Sequence, residues 1–230
     1  MKHFLVVQTF ALSALMFLQT GCSKVSADDI KQNAWRAQYN VENKNGRLRC
    51  VASFRAGGTT GSYIELNDSS DQVYCQNRIM RKVDGAFNEI QYEAYVDMPS
   101  SEKVFIELRR PNGSYFSDVI IPRPIEPTNL SNNSLYKGQA FWRSWIARPE
   151  TRMRITMQYR VAGDLKYVDR FQPTDQGQVR FEDFETPHSS VYGSIPATIT
   201  FTRINVGSMP DGLQGTIESS SQLVESVTFQ

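Results

Sequence analysis

Hydrophobic and polar residues alternate with a period of two along most of the chain from Trp35 onward. The clearest case is residues 152–161, where the hydrophobic positions of the alternation are Met153, Ile155, Met157, Tyr159 and Val161. Successive side chains of a β-strand point to opposite faces, so this segment is predicted to be a strand with one buried and one solvated face. The same alternation occurs at 90–97, 104–109 and 197–202. No segment after Trp35 sustains the helical period, and we predict an all-β protein.

The predicted strands form two groups separated by a proline-rich segment. Residues 35–121 contain short strands with turn residues between them, which is typical of a β-sandwich. Residues 122–136 hold three prolines followed by a run of Asn and Ser, the composition of a short linker. A second group follows, ending with strands predicted at 213–219 and 223–229. We therefore predict two β-sandwich domains, 35–121 and 137–230, joined by a linker at 122–136.

One segment of the second group is similar to a known family. Residues 175–181, Asp-Gln-Gly-Gln-Val-Arg-Phe, resemble the Asp-x-Gly-x-Tyr-x-Cys segment that leads into strand F of immunoglobulin-like domains. Arg170-Phe171 resembles the Arg-Phe that often precedes it, and either Trp142 or Trp145 would be the core tryptophan of strand C. The resemblance implies an immunoglobulin-like second domain. Phe181 stands in place of the Cys, so no inter-sheet disulfide is implied there, and the fold implies no activity.

The most strongly hydrophobic run lies near the N-terminus, from Phe4 to Leu18, with Lys2 before it. As a helix this run would span about 22 Å, short of the roughly 30 Å hydrocarbon core of a bilayer. A positive residue, a hydrophobic run and the small residues Thr20 and Gly21 are together typical of a signal peptide. We predict that residues 1–21 are a signal peptide and not a membrane-spanning helix.

The end of this run resembles the lipobox of bacterial lipoproteins. Leu18-Gln19-Thr20-Gly21-Cys22 carries the small residues and the Cys of the pattern, with Gln19 where the family has Leu. The resemblance implies that Cys22 is acylated and anchors the chain stably in a membrane. Ser23 is similar to the residue of outer-membrane-sorted members, which implies an outer-membrane protein facing either the periplasm or the exterior. A secretory signal cut elsewhere is the alternative. Residues 22–34 would be a tether, within which 27–34 either form a short helix or stay a polar spacer.

Export also gives the two remaining cysteines a role. In an oxidising compartment Cys50 and Cys75 are predicted to form a disulfide, the alternative being two buried thiols. Lys2 is the only charged residue before Cys22, so the mature chain has 24 Lys and Arg against 24 Asp and Glu. This neutrality gives no electrostatic footprint for nucleic acid, and we predict no nucleic-acid partner.

The sequence offers little for catalysis or metal binding. His188 is the only histidine after the signal peptide, and no Gly-x-Ser-x-Gly nucleophile motif accompanies it. Glu182, Asp183 and Glu185 are close in sequence, but strand alternation separates neighbours, and a charged strand end is the better interpretation than a glycosidase pair. Residues 67–71 fit a polar turn better than a calcium loop. We predict no catalytic residue, metal site or cofactor.

Aromatic side chains are the feature that points to binding. Strand positions and loops carry aromatic rings that would form a platform for a glycan or a protein partner, namely Tyr95, Phe105, Tyr115, Trp142, Trp145 and Tyr192. The sequence therefore predicts a lipid-anchored, non-catalytic binding or adhesion module of the cell envelope. An accessory subunit of an envelope assembly, with sandwich edges pairing with another component, is the second hypothesis, and a polysaccharide-acting enzyme is the third.

Overall fold

A computed structural model describes residues 24–31, 34–44, 46–67, 69–85, 89–128 and 134–230. The predicted signal peptide, Cys22 and Ser23 lie outside these residues. The described chain is all-β, as the alternating pattern predicts, with two 3-10 turns at Ala27–Asp29 and Asp183–Glu185. The strands of the first half are β1 (Lys24–Ser26), β2 (Trp35–Lys44), β3 (Arg47–Ala56), β4 (Tyr63–Glu65), β5 (Gln72–Cys75), β6 (Arg78–Ile79), β7 (Arg81–Asp84), β8 (Ile90–Asp97), β9 (Lys103–Arg110) and β10 (Gly113–Ile120). Those of the second half are β11 (Ser134–Leu135), β12 (Phe141–Ser144), β13 (Arg152–Val161), β14 (Asp164–Gln172), β15 (Gln178–Phe181), β16 (Ile195–Val206) and β17 (Gln214–Phe229).

The first half is a sandwich of two sheets around one core. Strands pair in the order β7-β8-β3-β2 on one side and β10-β9-β5-β6 on the other. All of these neighbouring strands pair antiparallel. Rings from β2 and β3 fill the core, with Trp35 and Tyr39 each 5.9 Å from Phe54 between ring centroids. The Cys50–Cys75 disulfide joins β3 to β5, and therefore one sheet to the other, which confirms the predicted pair.

The second half has a four-stranded layer, β17-β16-β13-β14, and a two-stranded layer, β12-β15. The side chains of β13 alternate between buried and exposed along 152–161, which confirms the strand and its buried face. Its buried residues share a core with those of β12, β15, β16 and β17. The immunoglobulin-like class of this half stays a prediction.

The segment that resembles the entry to strand F of an immunoglobulin domain lies in the two-stranded layer of the second half. Residues 175–177 lead into β15, which pairs with β12, whereas strand F lies between C and G in a single sheet. Among the described strands β15 pairs with β12 alone, so it lacks the second neighbour that strand F has, and the immunoglobulin resemblance of 175–181 stays a prediction. Of the two candidate core tryptophans, Trp145 is buried, with its ring 5.3 Å from that of Phe201. Trp142 is about half exposed.

One strand belongs to both halves. β17 pairs in parallel with β2 over residues 214–221 and antiparallel with β16 over residues 218–229. Leu213 and Ile217 lie in the core of the first half, whereas Val227 and Phe229 lie in that of the second. Two separate strands were predicted here, but a single strand runs through both. The sheets of the two halves are therefore one continuous sheet.

A glycine permits the contact between β17 and β2. Gly215 has φ +150, and a Cβ added there would lie 1.9 Å from the carbonyl oxygen of Ala37. Any side chain would therefore separate the two strands, since such a distance is far inside van der Waals contact. Gly215 thus sets how closely the last strand approaches the first half.

The proline-rich segment is fixed to this shared sheet where it leaves β10. Ser219 Oγ and Asn205 Nδ2 donate to the Ile120 carbonyl at 2.6 and 2.9 Å. Ser221 Oγ donates to the Pro122 carbonyl at 2.6 Å. Residues 129–133 of the predicted linker lie outside the described chain. The described part of the linker is held by side chains of the strands it joins.

A buried ion pair stabilises the junction between the two halves. Arg203 on β16 and Asp175 are only 1% and 2% exposed, and Arg203 Nε donates to Asp175 Oδ2 at 3.0 Å. The same guanidinium donates to the carbonyls of Arg123, Pro124 and Ile146 at 2.7–3.1 Å. Asp175 in turn accepts hydrogen bonds from three N–H groups, those of Trp145 Nε1, Arg148 N and Gly177 N. The hydrogen-bond partners of both buried charges are supplied within this network. They offset the free-energy cost of burying the two charges.

Candidate binding surface

The six aromatic residues predicted from the sequence do not form one platform. Tyr95 and Phe105 are both exposed, but they lie on the outer faces of the two opposite sheets of the first half. Tyr115 is half-buried and packs against the first core. In the second half, Trp142 is exposed on β12 and Tyr192 is fully exposed in the loop after β15, whereas Trp145 is buried. A single aromatic surface made of these residues is therefore not available.

A different hydrophobic surface lies on β14. Leu165, Tyr167 and Phe171 are 54–58% exposed and lie on the same outer face of the strand. They sit opposite Arg160, Gln158 and Arg154 of β13, which are the solvated positions of that strand. The sequence pattern did not predict this strand, because it mixes charged and hydrophobic residues. The regular alternation of β13 directly before it, followed by the Ala162-Gly163 turn, was a usable signal for a hairpin.

β14 is an edge strand that carries charged residues but has neither a bulge nor a proline. Among the described strands it pairs with β13 alone, and its register runs from Asp164 to Gln172 without a bulge. It contains no proline, and four of its nine residues are charged, namely Asp164, Lys166, Asp169 and Arg170. Natural proteins shield edges with bulges, prolines, charges or covering segments. This nine-residue edge, with three exposed apolar side chains, is thus a candidate binding surface.

An ion pair between Arg154 and Asp169 lies beside this edge. Arg154 makes a bidentate contact with Asp169, with Nε–Oδ1 and Nη2–Oδ2 distances of 3.0 and 2.6 Å. This hydrogen bonding lowers the pKa of the Asp169 carboxyl and raises the pKa of the Arg154 guanidinium. The pair and Phe171 line an open cleft of about 470 Å³ together with Arg152, Ile204 and Glu218. The lining holds two bases, Arg152 and Arg154, and two acids, Asp169 and Glu218, so the cleft carries both signs of charge.

The residues weighed for catalysis have local structural contacts. His188 is exposed, and its Nδ1 accepts a hydrogen bond from the Ser190 backbone at 3.2 Å and lies 2.7 Å from Ser190 Oγ. Glu185 binds Arg170 at 2.6 Å and accepts from the Glu182 backbone N–H at 2.8 Å, so it fixes the 3-10 turn. Asp183 accepts from the Phe184 backbone N–H at 2.8 Å. These contacts give each group a role in holding the loop.

The polar turn at 67–71 is also held internally. Asn67 Oδ1 accepts from the Ser69 backbone and hydroxyl at 3.1 and 2.7 Å. Asp71 is buried and binds Arg110 at 2.8 Å, and that guanidinium lies 3.8 Å from the Trp35 ring centroid. Asp68 lies outside the described residues. Within the described chain, no group of three or more His, Cys, Asp or Glu side chains is arranged to hold a metal ion.

A cleft of about 610 Å³ lies at the junction of the two halves. Ile120 and Val206, both about half exposed, contribute its apolar surface. Acidic and basic side chains alternate around it, and Asp118 is already paired with Lys103 at 3.0 Å. Its rim therefore presents no single charge to a ligand.

Comparisons with known proteins add no family. No protein-family model matches the sequence, and a search of curated proteins finds no match. Among solved structures, the chain is similar to the adhesin InvE of Yersinia pseudotuberculosis, with 12% identity and a TM-score of 0.25 over 87% of this chain. The matched part spans 60% of that adhesin chain. No helix of the described residues combines the length and hydrophobicity that crossing a membrane requires.

Proposed function

We propose that this chain is an exported, lipid-anchored, non-catalytic binding module of the bacterial envelope that holds a protein partner on the edge strand β14. The observation that carries the proposal is the nine-residue edge, free of bulges and prolines, with Leu165, Tyr167 and Phe171 exposed on one face. The disulfide between Cys50 and Cys75 supports export, because such bonds persist in oxidising compartments.

The chemistry of the edge favours an extended polypeptide as partner. An added strand takes up the main-chain N–H and C=O groups that an edge strand directs away from its sheet. Alternate side chains of that strand would pack against Leu165, Tyr167 and Phe171, while Arg152 favours an acidic residue at one end. The partner is therefore an extended segment with alternating apolar residues and a flanking acid. If the complex is permanent, the chain is an accessory subunit of an envelope assembly.

Site-specific photocrosslinking tests this surface. With p-benzoylphenylalanine at Tyr167, in cells that make the full chain, we expect one abundant adduct with a different protein, mapped by mass spectrometry to an extended segment. The double variant Leu165→Lys/Phe171→Lys should abolish the adduct, because charge replaces the apolar contacts. The same crosslinker at Tyr95, also an exposed strand tyrosine, is the matched control and should give no such adduct.

The other results of this experiment contradict the proposal. An adduct with a second copy of the chain would make β14 a self-association edge. Absence of any protein adduct at Tyr167, together with glycan-array binding that Leu165→Lys/Phe171→Lys removes, would assign the surface to a glycan. Equal adducts at Tyr167 and Tyr95 would show that the crosslinker traps proteins nonspecifically and that β14 is not a binding site.

The anchor has its own test. Cys22→Ser removes the thiol that acylation requires, so we expect the chain to move from the membrane fraction to the soluble fraction on cell fractionation. Ser23→Ala, which leaves the Cys in place, should stay in the membrane fraction, and mass spectrometry of its N-terminal peptide should show acyl chains on Cys22. Retention of Cys22→Ser in membranes would mean that the attachment is not a lipid on this residue.

A further inference from the structure

A small pocket lies on the outer face of the first half where three strands run side by side. Strand register places Ser53, Gln38 and Thr216 in one row across β3, β2 and β17. The next row contains Arg55 and Arg36, which are directly opposite each other. The pocket, of about 110 Å³, is lined by Arg36, Gln38, Ser53, Arg55, Thr59 and Thr216.

The two arginines pose an electrostatic problem. Side chains directly opposite in an antiparallel pair have Cβ atoms about 5 Å apart, and like charges there are destabilising. The six lining residues, all within the described chain, include no carboxylate. Glu89 accepts from the Tyr63 hydroxyl at 3.1 Å and from Gln91 at 2.8 Å, and the same hydroxyl accepts from Arg55, so this acid is linked to Arg55 through Tyr63. An anion between the guanidiniums would remove the repulsion.

Arg55 is held in place for such a contact. Its Nη1 donates to the Gly61 carbonyl at 3.1 Å, and its Nη2 donates to the Tyr63 hydroxyl. The guanidinium also lies 3.8 Å from the centroid of the Tyr63 ring. A guanidinium fixed by other contacts loses less side-chain entropy when it binds an anion.

The glycine-rich turn after β3 brings a hydroxyl to the pocket. Gly57 and Gly58 have φ +77 and +109, the left-handed region that favours glycine. A Cβ on Gly61 would lie 1.6 Å from the Ala56 carbonyl oxygen, so the turn closes tightly on β3. Thr59 at its tip lines the pocket. The sequence predicted only a turn here, whereas the fold adds two cations and three hydroxyls beneath it.

We propose that this pocket binds a phosphate or sulfate group between Arg36 and Arg55. Guanidinium groups match the paired oxygens of such anions, and Ser53, Thr59 and Thr216 supply hydroxyl donors. A water occupies about 30 Å³ in the liquid, so the pocket has room for a tetrahedral oxyanion. The site is separate from β14 and goes beyond the proposed function.

The position of the pocket suggests two sources for the anion. Lys24 of β1 pairs with Tyr63 of β4, which pairs with Arg55 of β3. Cys22 precedes Lys24 by two residues, which can span at most about 7 Å. If Cys22 is lipidated, as the proposed function holds, the pocket lies close to lipid headgroup phosphates. Free inorganic phosphate is the other source, with the same chemistry.

Calorimetry with inorganic phosphate and sulfate tests the site on the full chain purified in mild detergent. We expect saturable binding to the wild type, and at least about tenfold weaker binding for Arg36→Gln, because a charge-assisted contact is lost. Arg47→Gln, at an exposed position on β3, the strand that carries Arg55, is the matched control and should bind like the wild type. Without the anion, Arg36→Gln should unfold at the same or a higher temperature than the wild type, since repulsion is relieved. A purely structural role for Arg36 would lower that temperature.

Vesicles distinguish the sources. Flotation of the Cys22→Ser chain with vesicles containing phosphatidylglycerol, reduced by Arg36→Gln and not by Arg47→Gln, would support the site with a headgroup phosphate as ligand. Calorimetric binding without flotation would support it with a free anion. No binding of phosphate, sulfate or vesicles by the wild type, or an equal response from Arg36→Gln, would overturn the proposal. Neither the calorimetry nor the flotation experiment depends on β14 or on acylation of Cys22. Failure of this proposal is therefore distinct from failure of the proposed function.

Discussion

Replacing Arg203 with methionine should lower the free energy of unfolding by about 3–5 kcal/mol, since it removes one partner of a buried ion pair. The substitution leaves the Asp175 carboxylate buried without its cation, and it leaves the carbonyls of Arg123, Pro124 and Ile146 without this donor. Urea denaturation followed by circular dichroism measures the change.

The matched control is the same substitution in an exposed ion pair of the same sheet. Arg154 binds Asp169, but the two side chains are 53% and 35% exposed, so Arg154→Met should cost less than about 1 kcal/mol. The double variant Arg203→Met/Asp175→Asn should lose less than the sum of its single variants, because the groups share one network. Equal losses for Arg203→Met and Arg154→Met would contradict a structural role for the buried network.

Removing the disulfide should have the second largest effect. The bridge closes a separation of 25 residues, and the chain-entropy model gives a loss of about 3.5 kcal/mol for Cys50→Ala/Cys75→Ala. Both sulfurs are buried between the two sheets of the first half, so lost packing adds to the cost. The midpoint of urea denaturation, compared with that of the oxidised wild type, measures this loss.

Reductant provides the control for that measurement. Dithiothreitol should lower the midpoint of the wild type and leave that of Cys50→Ala/Cys75→Ala unchanged, since the variant has no bridge to break. Mass spectrometry of the unreduced protein should show a linked pair of peptides. Two alkylatable thiols in the exported protein, or a variant as stable as the wild type, would contradict the expectation.

The site was less predictable from the sequence than the fold. Aromatic residues on strands attract attention, but whether a ring such as Trp145 is buried depends on the partner strand, and Trp145 lies in the core beside Phe201. Conversely, the exposure of Leu165, Tyr167 and Phe171 results from β14 being the last strand of its sheet. The position of a strand in a sheet is a property of long-range pairing, which no local pattern contains.

The sequence by itself determined what depends on near neighbours along the chain. Alternation with a period of two specifies strands and the buried face of β13, and two cysteines left after the predicted anchor specify a disulfide. The tertiary structure decided what depends on pairing between distant residues. It made 214–229 a single strand shared by both halves, with Gly215 against Ala37. It also brought Arg203 to Asp175, and Arg36 to Arg55. These contacts arise because strand register and the order of strands in a sheet are fixed by packing of the whole core. That packing joins residues far apart in the sequence, so no single segment contains the information.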